Sequence, residues 1–202
     1  MEDTYRWLMM LIAAPFLALI HLNFVRIKPT RATFYHPNEP LLLAAAVRLC
    51  VVPAIGGMLL YMLEPAFMRW SSLPLPAAVR LAGAPLLLAA EFVFCWSLWS
   101  LGRNFSVSLA VFSEHRLIQH GPYRWVRHPM YASIMAMCPA LFVLTANWFI
   151  AGALALAIPL VVLFRTPLEE RTLHGRFGAR YGSYAERTGR YWPLARAAYE
   201  SK

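Results

Sequence analysis

The chain is 202 residues long, 59% hydrophobic and only 14% charged, with a mean hydropathy of +0.49. A soluble domain of this size carries about a quarter charged residues, so the balance points to lipid. It excludes intrinsic disorder, which needs low hydrophobicity, and a free nucleic-acid binder, whose basic groups would form a stripe on a polar surface. The length suits one domain over residues 1–202, and the net charge of +9 has to be explained by where the 19 basic residues sit. Cys50, Cys95 and Cys138 lie singly inside apolar runs with no CxxC spacing. They read as small core residues and not as a disulfide frame or a zinc site.

A bilayer core about 30 Å thick asks for roughly 20 apolar residues per helix. Five stretches qualify, at about residues 7–25, 41–63, 81–101, 130–146 and 148–164. The first resembles a signal peptide in length, but Glu2 and Asp3 flank it beside Arg6 and no small-x-small cleavage site follows. It reads as a retained helix. The last two are short and separated by Asn147 alone, which predicts a tight antiparallel hairpin in locally thin bilayer. Each span holds one proline (Pro15, Pro53, Pro85, Pro139 and Pro159), as bundles in lipid tolerate.

Fifteen of the 19 basic residues fall in the first loop, the third loop and the tail from Arg165. Lys and Arg collect on the cytoplasmic side. The expected topology is therefore an N-terminus outside and a C-terminus in the cytoplasm, in the cell (inner) membrane. The positive charge is a topology signal, with no nucleic acid implied. Two ionisable groups stand inside spans: Glu91, in the middle of the third, and Arg48, about a third of the way into the second. Intramembrane charges are costly and mark function by default. The plainer readings are a hydrogen-bonded packing group for Glu91 and an arginine that snorkels to the boundary for Arg48.

The polar residues suited to chemistry cluster at the cytoplasmic ends of the last three spans. The first block runs from Glu114 through His120 into GPYRWVRHPMY, residues 121–131. Gly121-Pro122 marks a turn, and Pro129 suits the first position of a helix, where its missing N–H costs nothing. The fourth span thus starts at about His128. Its free N–H groups and positive dipole end suit a carboxylate or phosphate, with Tyr123, Trp125 and Tyr131 adding flat surfaces. The plain alternative is an interfacial aromatic and basic belt. In the second block, RTPLEE at 165–170, Arg165 and Glu169 are four residues apart and share a helix face. A kink at Pro167 would tilt both toward the first block; a simple surface ion pair is the alternative.

HRLIQHGPYRWVRHPMY, RTPLEE and the FG-x-x-Y-x-x-Y pattern of Phe177, Gly178, Tyr181 and Tyr184 together resemble the isoprenylcysteine carboxyl methyltransferase family and its prokaryotic relatives, which extend toward phospholipid N-methyltransferases. The likeness covers roughly residues 100–193, with three blocks in order. It implies an all-α integral membrane bundle of about five helices with a cytosolic-face pocket, in which residues 1–101 supply three spans and residues 102–202 the cofactor-binding and catalytic half. The cofactor implied is S-adenosylmethionine and the partner a lipid or lipidated acceptor reached from the bilayer. By that likeness His115, Arg116, Leu117, Ile118, Tyr123, His128, Pro129, Met130 and Tyr131 line the cofactor pocket, and Arg165 and Glu169 stand where acceptor meets methyl group. A glutamine that some relatives place upstream has no counterpart, with Ser108 or Ala110 near its position.

The chemistry of such a donor agrees independently: a zwitterion with a sulfonium needs an anion-binding end and an apolar or aromatic seat for adenine, and the first block offers both. A carboxylate acceptor needs positioning more than a base, and Arg165 can orient it bidentately. An amine acceptor needs a base, with Glu169 or His128 as candidates. Competing with O-methylation are phospholipid N-methylation, a sterol-reductase-like enzyme using NADPH, whose RH-P-x-Y signature is similar, and a non-enzymatic scaffold or channel. Acceptor identity and oligomeric state are not fixed by these residues.

Overall fold

The computed structural model describes residues 2–27, 40–106 and 116–194. Helix α1 spans Glu2–Ile27, α2 Leu41–Leu63, α3 Ala77–Leu101, α4 Pro129–Thr145 and α5 Trp148–Leu160. A π-helical turn, Val161–Arg165, joins α5 to α6, Thr166–Phe177. Helix α7, Ala179–Arg187, follows Gly178, whose φ of 54° is the left-handed value glycine takes at no steric cost. Among the described residues four rods are long and apolar enough to cross a membrane, α5 and α6 counting as one from Trp148 to Phe177, and α4 is a shorter apolar helix. The five expected spans are therefore present in order, in an integral membrane bundle.

Outward-facing residues confirm the solvent. Leu42 is 85% exposed, Leu49 76%, Leu11 72% and Phe92 66%, a coat that water would not tolerate and acyl chains match. The interior is small-residue packing, as expected where lipid removes the hydrophobic drive between helices. The closest pairing joins α3 to α4: a Cβ on Gly83 would come within 2.6 Å of the Leu144 nitrogen and 2.9 Å of the Ala140 carbonyl oxygen. Only glycine permits that approach. Ala84, Leu87 and Ala90 continue the seam against Met137, Ala140, Leu141 and Leu144, and α1 adds Tyr5, Met9, Ile12 and Ala13.

The α4–α5 hairpin forms as the lone Asn147 foretold. Ala146 turns the chain at φ 51° and ψ 34°, and Asn147 caps α5 by accepting from the Ile150 N–H at 3.1 Å. Its Nδ2 donates to the Met68 carbonyl at 3.0 Å and to Ser71 Oγ at 2.8 Å, which ties the tip to the 3-10 segment Pro65–Ser71 between α2 and α3. Asn147 is fully buried. All its amide groups are satisfied, the condition for a polar side chain in such a place.

Two features depart from the sequence reading. Arg80, left outside the span expected at residues 81–101, lies in the first turn of α3 and is 5% exposed. It donates to the carbonyls of Leu144 and Thr145 at the C-terminal end of α4, to the Tyr61 hydroxyl and to Glu2, and its guanidinium stacks 3.6 Å above Tyr5. A cation at a helix C-terminus meets both unsatisfied carbonyls and the negative dipole end. The expected kink at Pro167 is replaced by the π turn one turn earlier. Pro167 has no N–H for the carbonyl four residues back and its ring crowds that carbonyl; the wider turn relieves both, and Thr166 Oγ1 donates to the Val161 carbonyl at 2.9 Å.

Asn147→Ala removes the cap and leaves the Met68 carbonyl without its donor. The expected cost is about 2 kcal/mol, read as a lower unfolding midpoint in detergent, while Asn147→Ser, which keeps a cap acceptor, loses less.

Candidate active site

Past the end of α3, Asn104 organises the chain that leads into the site. Its Nδ2 donates to the Leu101 carbonyl, and its Oδ1 accepts from the Arg116 N–H at 2.7 Å. Residues 116–118 follow, then the 3-10 turn Gly121–Arg124. Gly121, at φ 59°, lies so near α3 that a Cβ there would strike Ser100 Oγ. Tyr123 is buried, and its carbonyl accepts from the Tyr184 hydroxyl at 2.8 Å. Burial pushes the Tyr123 phenol well above its ordinary value and that of Tyr184 up to about 12. This wall therefore stays neutral across the physiological range.

His128 precedes α4 with Pro129 at the helix start, as the sequence indicated, and its side chain makes no capping hydrogen bond. The first-turn N–H groups of Met130 and Tyr131 are thus left uncapped by it, the arrangement that favours an anion at a helix N-terminus. The His128 ring is 5% exposed and stacks on Tyr131 with centroids 5.5 Å apart.

The two blocks meet at one hydroxyl. Tyr131 donates to Glu169 Oε2 at 2.9 Å and accepts from Arg165 Nε at 3.1 Å. A residue of α4 thereby stands between a cation at the end of the π turn and a carboxylate of α6. His128 Nδ1 lies 3.9 Å from the same Glu169 oxygen.

Glu170, about 100° further round the helix, reaches a second set of partners. Its carboxylate accepts from Arg127 Nε at 3.1 Å, from Arg190 Nε at 3.1 Å and Nη2 at 2.5 Å, and lies 3.2 Å from His128 Nε2. The carboxylate holds the Arg190 guanidinium more firmly charged than usual. Arg127 also donates to the carbonyls of Ala185 and Thr188. Backbone bonds complete the clamp: Gly189 N–H to the Trp125 carbonyl, Arg127 N–H to that of Gly189, and His128 N–H to that of Arg190. Tyr191 donates to Thr166 Oγ1 at 2.8 Å. The segment after α7 is therefore strapped across both the start of α4 and α6.

Tyr123, Arg127, His128, Tyr131, Arg165 and Glu169 border a chamber of about 550 Å³, a usual size for a small-molecule site. Of the residues singled out from the sequence, Arg116, Leu117, Ile118, Tyr123, His128, Met130, Tyr131, Arg165 and Glu169 all line it. Pro129 is buried beside it and does not line it. His115, Ser108 and Ala110 lie outside the described residues. Away from the polar corner the walls become apolar, through Phe16 and Ile20 of α1, Val51 and Ile55 of α2 and Leu154 of α5. Arg48 also borders the chamber, whereas Glu91, 9% exposed on α3, does not. Sequence reasoning missed Arg127, Glu170 and Arg190 as a unit. The Glu169-Glu170 doublet was the one available sign, since neighbours on a helix face different partners.

Comparison with known proteins finds similar chains in one family. Residues 83–175 match the model of the Isoprenylcysteine carboxyl methyltransferase (ICMT) family. The chain is 30% identical over 106 residues to protein-S-isoprenylcysteine O-methyltransferase A of Arabidopsis thaliana, covering 52% of this chain and 54% of that one. It is 29% identical over 111 residues to a probable protein-S-isoprenylcysteine O-methyltransferase of Oryza sativa subsp. indica, covering 54% and 58%. The chain thus spans about half the length of the curated relatives it matches. A solved structure of the eukaryotic intramembrane Ras methyltransferase ICMT shares the fold, with a TM-score of 0.54 at 21% identity over 93% of this chain and 68% of that one. The match over residues 83–175 and these relatives support the resemblance to the isoprenylcysteine carboxyl methyltransferase family over about half of the chain.

Proposed function

We propose that the chain is a membrane-embedded methyltransferase that uses S-adenosylmethionine to methylate a carboxylate on a lipid-anchored acceptor, of the prenylated-cysteine kind. The observation that carries the reading is the Tyr131 hydroxyl held between Arg165 and Glu169 in a chamber polar at one end and apolar toward the membrane half. In keeping with the positive charge of the loops, we assign the end of the bundle where α4 starts to the cytoplasm.

The residues present fit the cofactor. Uncapped N–H groups at the start of α4 suit its carboxylate, and the buried ring of Tyr123 with the apolar side chains of Leu117 and Ile118 offers a seat for its adenine. When bound, it supplies an electrophilic methyl group. The protein's part is placement. A carboxylate is already nucleophilic at neutral pH, so no proton has to move. Arg165 orients it, with Nε fixed by Tyr131 so that the guanidinium keeps one plane, and Glu169 fixes the hydroxyl from the other side. Burial of this corner keeps water from competing.

The Glu170 clamp serves the same end from behind. It fixes α6 against the start of α4 and so sets the direction of Glu169. With Glu170→Gln, Arg127, His128 and Arg190 lose their shared counter-charge, a change that costs several kcal/mol when the group is enclosed. The expected result is faster tryptic cleavage at Arg187 and Arg190, together with a lower rate of methyl transfer.

The direct test incubates native membranes with the purified protein and radiolabelled S-adenosylmethionine. The expected product is a labelled lipid that releases its label in alkali, as a methyl ester does. Alkali-stable label would assign an N-methyl product to a phospholipid amine, and failure to bind the cofactor would contradict the reading altogether. Tyr131→Phe is expected to lower kcat/KM about a hundredfold, the scale of a misplaced reactant, with cofactor binding retained. An unchanged rate would remove this hydroxyl from the mechanism.

A further inference from the structure

One charged group at the chamber stands apart from the polar corner, on a different helix. Arg48 lies in α2, among Val47, Val51 and Ile55 on the face that borders the chamber. Beside it on the same helix Leu49 is 76% and Val52 64% exposed. Arg48 is itself exposed, so it sits at the rim where chamber and lipid-facing surface meet. Helix α2 packs along α5 and touches α1 much less, and Phe16 and Ile20 of α1 line the chamber together with Val47 and Val51 of α2. The rim at Arg48 therefore faces the bilayer.

Depth places it level with the polar corner. Arg48, Tyr131 and Arg165 each stand roughly four to five turns, or about 21–26 Å, from the far ends of α2, α4 and α5. Those far ends are tied to one another through Tyr61, Arg80 and Asn147. Side chains on a helix lean toward its N-terminus, and for α2 that is the end of the polar corner. Among the described residues Arg48 has no carboxylate partner, although an uncompensated cation in an apolar helix is costly. The chamber thus carries the Arg165 guanidinium in its polar corner and that of Arg48 at its lipid-side rim.

We propose that Arg48 is a specificity residue of the chamber, which takes the carboxylate of a lipid acceptor at the bilayer rim and so selects an anionic head over a neutral or cationic one. This rests on the reading of the chamber as the place where a lipid acceptor meets a methyl donor. It deepens that reading by giving the acceptor a charge and a path. An amine lipid would be repelled at the rim and again at Arg165, whereas a carboxylate passes from one guanidinium to the next. Nothing is transferred at Arg48, which acts on binding alone.

The test measures equilibrium binding of two tritiated probes, a prenylated cysteine with a free carboxylate and the same molecule as its carboxamide, to the full chain in nanodiscs. The wild type is expected to favour the carboxylate about tenfold or more, the scale of a charge-assisted pair. Arg48→Gln is expected to cut that preference severalfold, to what Arg165 alone supplies, while binding the carboxamide within twofold of wild type, and Arg48→Lys to keep more of it. Equal weakening of both probes would mean a packing or snorkelling role and overturn the proposal, as would an unchanged preference in Arg48→Gln. Methyl transfer measured in the same samples separates the two claims. Carboxylate selection through Arg48 without any transfer sustains the Arg48 site and removes the methyltransferase reading.

Discussion

The turn at Ala146 and Asn147 sets where polar groups can meet in this bundle. A left-handed Ala146 followed by a capping Asn147 leaves no slack between α4 and α5. The two helices must run back antiparallel, so the first turn of α4 lies beside the π turn that follows α5. Asn147 is held in turn by Met68 and Ser71, which fixes the hairpin to the rest of the bundle at the end away from the chemistry. From there the register is rigid. Tyr131 arrives level with Arg165, and the π turn rotates the start of α6 so that Glu169 completes the group on the far side of the same hydroxyl. A π turn adds a residue without a full turn of rise, a way to redirect a face without breaking the rod.

Charge in this protein is placed according to how much water it can reach. At the far end Arg80 is enclosed by two carbonyls, a phenol and a carboxylate. It locks the ends of four helices. At the near end the same elements are divided between two tasks. Glu170 gathers two arginines and a histidine in a closed clamp, while Glu169, one residue earlier, faces the chamber. Neighbouring carboxylates on one helix turn thus separate the group that holds the strap from the group that shapes the site. Both clusters lie near helix ends, where backbone groups lack partners of their own and charges are least costly.

Much of this was legible in the sequence, for identifiable reasons. Apolar runs of fixed length mark spans because a bilayer has a thickness, and a single Asn between two such runs leaves only a hairpin. Pro129 after His128 marks a helix start because proline fits there and few places else in a helix. Those two local signals, with the spacing of Arg165 and Glu169, were enough to forecast the meeting of the RHPMY corner and the RTPLEE bend. Less legible were the partners joined across the chain. Nothing local in Arg80 distinguishes a loop cation from one buried against α4, because its partners Glu2, Tyr61 and Leu144 lie far away in sequence. Arg127 and Arg190 read as members of a basic belt until the carboxylate between them is located in space. A kink was expected at Pro167 and a π turn stands one turn earlier, because sequence shows where a hydrogen bond is lost, and not where the helix absorbs the loss.

The central claim is that Tyr131, Arg165 and Glu169 act as one unit built across the hairpin. A double-mutant cycle of Tyr131→Phe and Arg165→Lys, read on kcat/KM for methyl transfer to a lipid carboxylate, tests it most directly. Strong coupling is expected, with the double variant no slower than the slower single variant and an interaction energy of about 1 kcal/mol or more. Additive losses would mean that the two residues work apart, and would contradict the claim.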